Sequence, residues 1–427
     1  MLPSFSRKTI GMSCRWVGLL LSTGGIGVGC GGTTEVITPP PPPPTPFVLQ
    51  FRADAEDAAS AEALGWQAGL QDVDLTLQPE DTTKGPPRTF RGTAQGSVTL
   101  SDLAPGGYRV EAHRWLSAAE RRRLAPGDDA VGFVISTVIV AAPSVTRTVS
   151  MPASRRRSLI ISEWAFNVGV TAPFESYAWG GYLELYNNAD TTIYLDGMVL
   201  GRGAAYQVDF PSSPCSETSR IRSDPQGVWT QGYQKFPGQG SSYPVLPGRT
   251  VVVATDAVNH GAFYPNGLDL SRADFEFDGS ADVDNPAVPN MVDTGFNPDP
   301  GGHGMEFTFG AVVFLAKPFD ESTVAKDRYF GGPLHPRVPA ERLLDVVSIY
   351  DPFDPGFPRC PELVSGKLDR GGFQGRGANE EVEFLHSVER KPTLVVIGGQ
   401  PVLQHSRSSA VDLFRGDRTV GEVPHQP

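Results

Sequence analysis

Along most of the chain, apolar and polar side chains alternate one for one in short runs, and Gly, Pro or Asp bounds each run. Phe47-Val48-Leu49-Gln50-Phe51 opens the series, followed by Val73-Asp74-Leu75-Thr76-Leu77 and Ser97-Val98-Thr99-Leu100. Tyr108-Arg109-Val110-Glu111-Ala112 and Val145-Thr146-Arg147-Thr148-Val149 keep the same period of two. That period turns one face of a strand to a core and the other to water. Leu159-Ile160-Ile161-Ser162-Glu163, Tyr182 to Asn188 and Ile193 to Leu200 continue the pattern with more apolar text. Helical signals are few. Ser117-Ala118-Ala119-Glu120 has capping-box spacing, Arg121 to Arg123 follow, and Pro126-Gly127 ends the run. Ala53 to Ala63 reads as a loop insertion with helical tendency. The pattern predicts an all-β chain.

Two bodies are expected, divided at Arg155-Arg156-Arg157. The stretch Gly96 to Ala112, with Leu103-Ala104-Pro105-Gly106-Gly107-Tyr108 at its centre, resembles the hairpin of carboxypeptidase-regulatory-like modules. Pro105-Gly106-Gly107 makes the turn, and Leu103 and Tyr108 pack across its inner face. Further on, Leu159 to Glu163, Tyr182-Leu183-Glu184-Leu185-Tyr186-Asn187-Asn188 and Leu195-Asp196-Gly197-Met198-Val199-Leu200 resemble the opening strands of a lamin-tail-type domain. Ser387-Val388-Glu389-Arg390 and Ser409 to Phe414 resemble its close. The whole order, over about residues 47–427, is similar to an uncharacterised family of bacterial surface lipoproteins. The resemblance implies two tandem β-sandwiches: transthyretin-like over 47–155, then immunoglobulin- and lamin-tail-like over 156–427 with large loop insertions. It implies no activity.

The front of the chain reads as an address. Arg7, Lys8 and Arg15 precede an uncharged run from Val17 to Gly29, too short and too rich in glycine to span a bilayer at ~20 residues. Residues 1–29 therefore form an export signal. Gly29-Cys30-Gly31-Gly32 resembles the acylation box of bacterial lipoproteins, although Gly27 stands where leucine is usual. Cys30 is the expected lipidation site. Residues 30–46 then form a linker in which six prolines, Pro39 to Pro44, make a semi-rigid spacer.

Composition narrows the function. The chain has 427 residues with 48 Gly and 39 Pro, which suits many short strands joined by turns. A net charge of −12 argues against nucleic acid as a partner. Cys215 and Cys360, each beside a proline, are the pair left for a disulfide in an exported protein, with two free thiols as the alternative. The seven histidines form no HExxH or H-x-H pair, and neither a nucleophile elbow nor a phosphate loop occurs. No catalytic residue is assigned.

Asp278, Asp282 and Asp284 lie in a Gly-containing loop, with Asp293 and Asp299 following, and supply the oxygen chemistry calcium takes. The competing reading is a solvated loop whose aspartates cap turns. Tyr177, Trp179 and Trp229 stand out among the aromatics of loop-rich text as binding candidates, while Trp164, Tyr182 and Tyr233 share that text. Glu163 and Glu184 sit within strands and are expected to pair with Arg390 or Arg202, with cation binding as the alternative.

The combined expectation is a lipid-anchored protein of the cell envelope, an outer-membrane lipoprotein facing the periplasm or the surface. Its role is non-catalytic binding, scaffolding or service to a transporter. Its partners are the bilayer through Cys30 and an outer-membrane complex or surface glycan. The rival is a calcium-assisted hydrolase acting on surface polymers.

Overall fold

The first strand begins at Phe47, where the alternation begins. The computed structural model describes residues 46–142, 145–165, 169–171, 175–177, 180–203, 219–263, 267–279, 283–294, 311–328, 334–350, 362–375 and 386–422. Of 169–171, 175–177, 219–220 and 311 it describes the backbone alone. The described strands begin with β1 (Phe47–Ala53), β2 (Asp74–Pro79), β3 (Arg88–Arg91), β4 (Ser97–Leu100), β5 (Gly106–Trp115), β6 (Ala130–Ala141), β7 (Thr146–Met151) and β8 (Ala153–Arg155). They form a three-stranded sheet, β4-β1-β7, and a five-stranded sheet, β3-β2-β5-β6-β8. Between them lie Leu49, Phe51, Leu75, Leu77, Val98, Leu100, Tyr108 and Val110, the apolar members of the alternating runs. Tyr108 also donates its hydroxyl to Ala104 O at 2.8 Å, closing the Pro-Gly-Gly turn. Helix α1 (Ala58–Ala63) realises the helical tendency of the insertion, and α2 (Ala118–Arg121) carries the full Ser117–Glu120 capping box.

The second set starts with β9 (Leu159–Ala165), β10 (Gly169–Thr171), β11 (Glu175–Tyr177), β12 (Tyr182–Asn187), β13 (Ile193–Tyr194), β14 (Val199–Gly203), β15 (Gly227–Lys235), β16 (Pro244–Val245), β17 (Thr250–Ala254), β18 (Phe275–Glu276) and β19 (Val292–Asp293). It continues with β20 (Ala311–Ala316), β21 (Lys326–Arg328), β22 (Leu334–Pro339), β23 (Leu343–Tyr350), β24 (Phe373–Gln374), β25 (His386–Arg390), β26 (Pro392–Ile397), β27 (Gln400–Leu403) and β28 (Leu413–Asp417). Six strands pair in the order β18-β17-β12-β9-β25-β28, and an opposing sheet runs β21-β22-β15-β14-β20-β23-β24 with β19 beside β15. Leu159, Ile161, Trp164, Leu183, Leu185 and Val388 from the first sheet meet Leu200, Val313, Leu315, Val347 and Ile349 from the second. The fold is all-β, sheets packed face to face on interior side chains.

Both outer faces are also covered. Ala257, Leu270, Ala273 and Val288, from the long segment after β17, pack on Tyr182, Val252 and Ala254. This is why strands such as Thr250–Ala254 are buried on both sides and read as continuous apolar text rather than strict alternation. The hairpin β26–β27 turns at Gly398 and Gly399, both at positive φ (61° and 83°), which the tight two-residue turn requires. Its Val395 and Val402 pack on Val131, with Trp115 beside them. Among the described residues no helix is long and apolar enough to cross a membrane.

Candidate functional site

Strand parity places a charged network at the end of the inter-sheet core. In β25, Val388 faces the core, so Arg390, two residues on, faces inward as well. In β23, Val347 and Ile349 face the core, and Asp345 shares their parity. The two meet across the sandwich: Arg390 Nη2 donates to Asp345 Oδ2 at 2.7 Å. Ile161 N–H donates to the same oxygen at 2.8 Å, and Asp345 Oδ1 accepts from Val346 N–H at 2.9 Å. His405 Nε2 lies 3.1 Å from Oδ1. An ionised carboxylate only accepts, so Nε2 carries the hydrogen. Arg390 Nε donates to Ile161 O at 2.9 Å, and Nη1 donates to Gln404 O at 3.1 Å and Asp412 Oδ2 at 3.4 Å. Burial pushes the Asp345 carboxyl up, but Arg390 and His405 outweigh it and hold it down at about 2.

Asp412 organises the loop before it. It accepts from Ser406 N–H at 2.7 Å, Ser406 Oγ at 2.8 Å and Gln404 Nε2 at 3.1 Å. Within this loop Arg407 adopts a left-handed backbone, φ 60°, rare for a side chain with a Cβ. Its carbonyl accepts from Arg370 N–H at 2.7 Å, and its guanidinium donates to Glu56 at 2.6 Å. Arg370 in turn reaches Asp54 and Glu56, tying this loop to the N-terminal sandwich.

A cleft of about 300 Å³ opens beside this network. Arg157, Lys367, Arg407, His405 and Asp345 supply its polar wall, and Leu343, Leu344, Val346 and Leu368 its apolar wall.

A second cluster lies on the outer face of the six-stranded sheet. The register between β9 and β12 shifts between Glu184 and Leu185, skipping Ser162, so that Glu184 pairs with Glu163 and Leu185 with Ile161. Glu389 in β25 pairs with Glu163 from the other side. Three glutamates thus stand side by side across neighbouring strands, where directly opposed like charges repel. Tyr182 donates its hydroxyl to Glu163 at 2.6 Å, Gly421 N–H donates to Glu184 at 2.6 Å, and Ser387 donates to Glu389 at 3.3 Å. Burial pushes the Glu163 carboxyl up to about 7. Burial, then the neighbouring Glu163, raises Glu184 as well. Sequence reasoning expected Arg390 or Arg202 beside Glu163 and Glu184. For Arg390 this is corrected: parity sends it to the opposite face from Glu389, where Asp345 and Asp412 hold it.

Cys30, Cys215, Cys360, Trp179 and Asp282 lie outside the described residues. Tyr177 ends β11, its backbone opposite Gly169. Asp278 has its backbone N–H and C=O clasped by the Gln234 side-chain amide at 2.9 and 2.6 Å. Asp284 accepts from Asn290 at 3.1 Å. Among the described residues no three His, Cys, Asp or Glu side chains are disposed to hold a metal ion. Trp229 is half-buried, donates its indole N–H to Asp224 at 2.9 Å and lies under the Arg337 guanidinium. Trp164, Tyr182 and Tyr233 are core residues. Sequence reasoning missed Asp345, His405, Asp412 and Arg157; the available signal was a charge at an inward parity, Asp345 in Leu-Leu-Asp-Val-Val-Ser-Ile.

Comparison with known proteins places a family segment in this frame. A family described as "Protein of unknown function (DUF4876)" matches residues 246–329, which includes β17 to β21 and neither the cleft nor the glutamate row. The crystal structure of a DUF4876 family protein from Bacteroides thetaiotaomicron VPI-5482 is 17% identical, with a TM-score of 0.51. The match covers 90% of this chain and 98% of that one, and the two share a fold. A DUF3823 family protein from Parabacteroides merdae ATCC 43184 is 12% identical over 49% of this chain and 79% of its own, with a TM-score of 0.17. No curated protein matches.

Proposed function

We propose that the chain is a lipid-anchored protein of the cell envelope that binds a ligand rather than converting one, on a β-sandwich body held off the membrane by a proline spacer. The observation that carries the binding reading is the cleft beside Asp345 and His405. In its polar wall Asp345 and His405 are set by hydrogen bonds buried inside the protein, so these two groups are in place before anything binds. The anchor is carried by the sequence: a short export run, small residues, Cys30, then six prolines. In this reading the N-terminal sandwich, clamped to the cleft loop through Glu56, helps present the site.

Metabolic labelling with a palmitate analogue tests the anchor. Label is expected on the wild-type protein and absent from Cys30→Ala, which should also leave the membrane fraction. Label that persists in the variant overturns the anchor.

A further inference from the structure

We infer that the cleft beside His405 takes a small ligand bearing an oxyanion (a carboxylate, phosphate or sulfate group), with its apolar part laid against Leu343, Leu344 and Leu368. This rests on the binding reading and names the class of ligand. Charge is the first support. Arg157, Lys367 and Arg407 line the cleft, and Asp345 is the acid among the lining residues. Both Asp345 oxygens are already used, by Ile161 N–H and Arg390 on one and Val346 N–H and His405 on the other. Arg407 is answered by Glu56, whereas Arg157, half-buried, makes no direct hydrogen bond or ion pair among the described residues and has Asp129 as its nearest opposing charge. In a chain of net charge −12, the lining of this cleft thus carries three cations and one acid.

His405 is the second support. It is only 5% exposed, its Nε2–H is committed to Asp345, and its Nδ1 is buried without a partner. Such orphaned buried polar atoms are rare in native proteins and mark strain or an unfilled role. With Nε2–H given to Asp345, Nδ1 is an acceptor, so it calls for a donor on the ligand, such as a hydroxyl beside the oxyanion.

Geometry is the third. Arginine forks match the oxygens of carboxylates and phosphates in a way a point charge does not. The loop bearing His405 and Arg407 is held by Asp412 and by the left-handed backbone at Arg407, so little ordering is left for the ligand to drive. A volume of about 300 Å³ admits a group of monosaccharide size.

Calorimetric titration of the whole exported protein at 150 mM salt tests the inference, with sodium phosphate, sodium sulfate and galacturonate as probes and galactose as the neutral control. Saturable one-site binding of at least one oxyanion is expected, with none for galactose. Tighter phosphate points to a phosphorylated ligand, and tighter galacturonate to an acidic sugar. Arg157→Gln combined with Lys367→Gln should weaken binding about tenfold or more. Lys367→Gln alone changes an exposed side chain that cannot disturb the fold and should weaken it about threefold. No saturable binding by any oxyanion overturns the inference, as does affinity unchanged in both variants. Failure here with the palmitate label intact removes the ligand class and leaves the anchored protein; loss of the label result with binding intact does the reverse.

Discussion

Arg390→Ala is expected to cost the protein about 3–5 kcal/mol, a large share of the stability of an ordinary domain. The arginine is 2% exposed and joins two acids, Asp345 and Asp412, to the backbone of Ile161 and Gln404. Truncation leaves both carboxylates buried without their cation, and that desolvation is the larger part of the cost. Arg390→Lys keeps the charge but loses the fork that serves two acids and two carbonyls at once, so it should recover only part of the loss. Arg390→Met with Asp345→Asn should be more stable than Arg390→Ala, because one uncompensated charge disappears with the cation. Urea unfolding followed by tryptophan fluorescence, with Trp164 in the core, measures all three.

The network also sets behaviour in acid. Asp345 is held below its unfolded value of ~3.9, so its contribution is present above that pH and fades as pH falls through about 2. The deficit of Arg390→Ala should therefore be largest near neutral pH and shrink as pH falls, because protonation relieves the unpaired carboxylates. A loss under 1 kcal/mol with an unchanged acid limb would show the pairing is incidental.

Glu163→Gln is expected to raise stability at pH 8 and leave it nearly unchanged at pH 4. The sign follows from proton counting. Glu163 is pushed up to about 7 in the folded protein and titrates near 4.3 when unfolded. Between those values the folded state holds a proton the unfolded chain has released, so stability falls as pH rises and the cost is complete above about 7. The shift corresponds to roughly 3–4 kcal/mol at pH 8. Glutamine accepts the Tyr182 hydroxyl as the carboxyl does, but carries no charge to oppose Glu184 and Glu389. Other buried acids slope the same way: Glu184, Asp129, Asp274, Glu276, and Asp369, which burial pushes up to about 6. The readout is therefore the difference between the variant and wild-type melting curves from pH 5 to 8. Parallel curves would mean the row is ionised and paid for by another device.

Much of the strand content was legible because alternation is a local property. Leu49, Leu75, Val98 and Val110 announce their inward face within five residues of sequence, and each is buried. The Ser117–Glu120 box was equally legible, since both of its hydrogen bonds close within three residues. Legibility fails where an irregularity resets the parity. The shift between β9 and β12 brings Glu163 beside Glu184, and nothing in Ile-Ile-Ser-Glu-Trp marks it. It fails again where both faces of a strand are covered, because polar neighbours then vanish from the text.

The partner of a buried charge was the least legible feature. Glu184 facing away from Leu183 and Leu185 followed from the period of two; that Arg390 answers Asp345 rather than Glu163 required knowing that β25 and β23 lie in opposite sheets. The same limit hid the cleft. Its walls come from Arg157, from 343–346, from 367–368 and from 405–407, stretches far apart along the chain.

The amino-acid order alone decided that this chain is a series of short strands and which face of many of them is apolar, because a residue's direction from a strand depends only on its neighbours. Folding in three dimensions decided which strands adjoin, where three glutamates line up and where cations gather around His405, because those outcomes depend on closing long loops and on the exclusion of water.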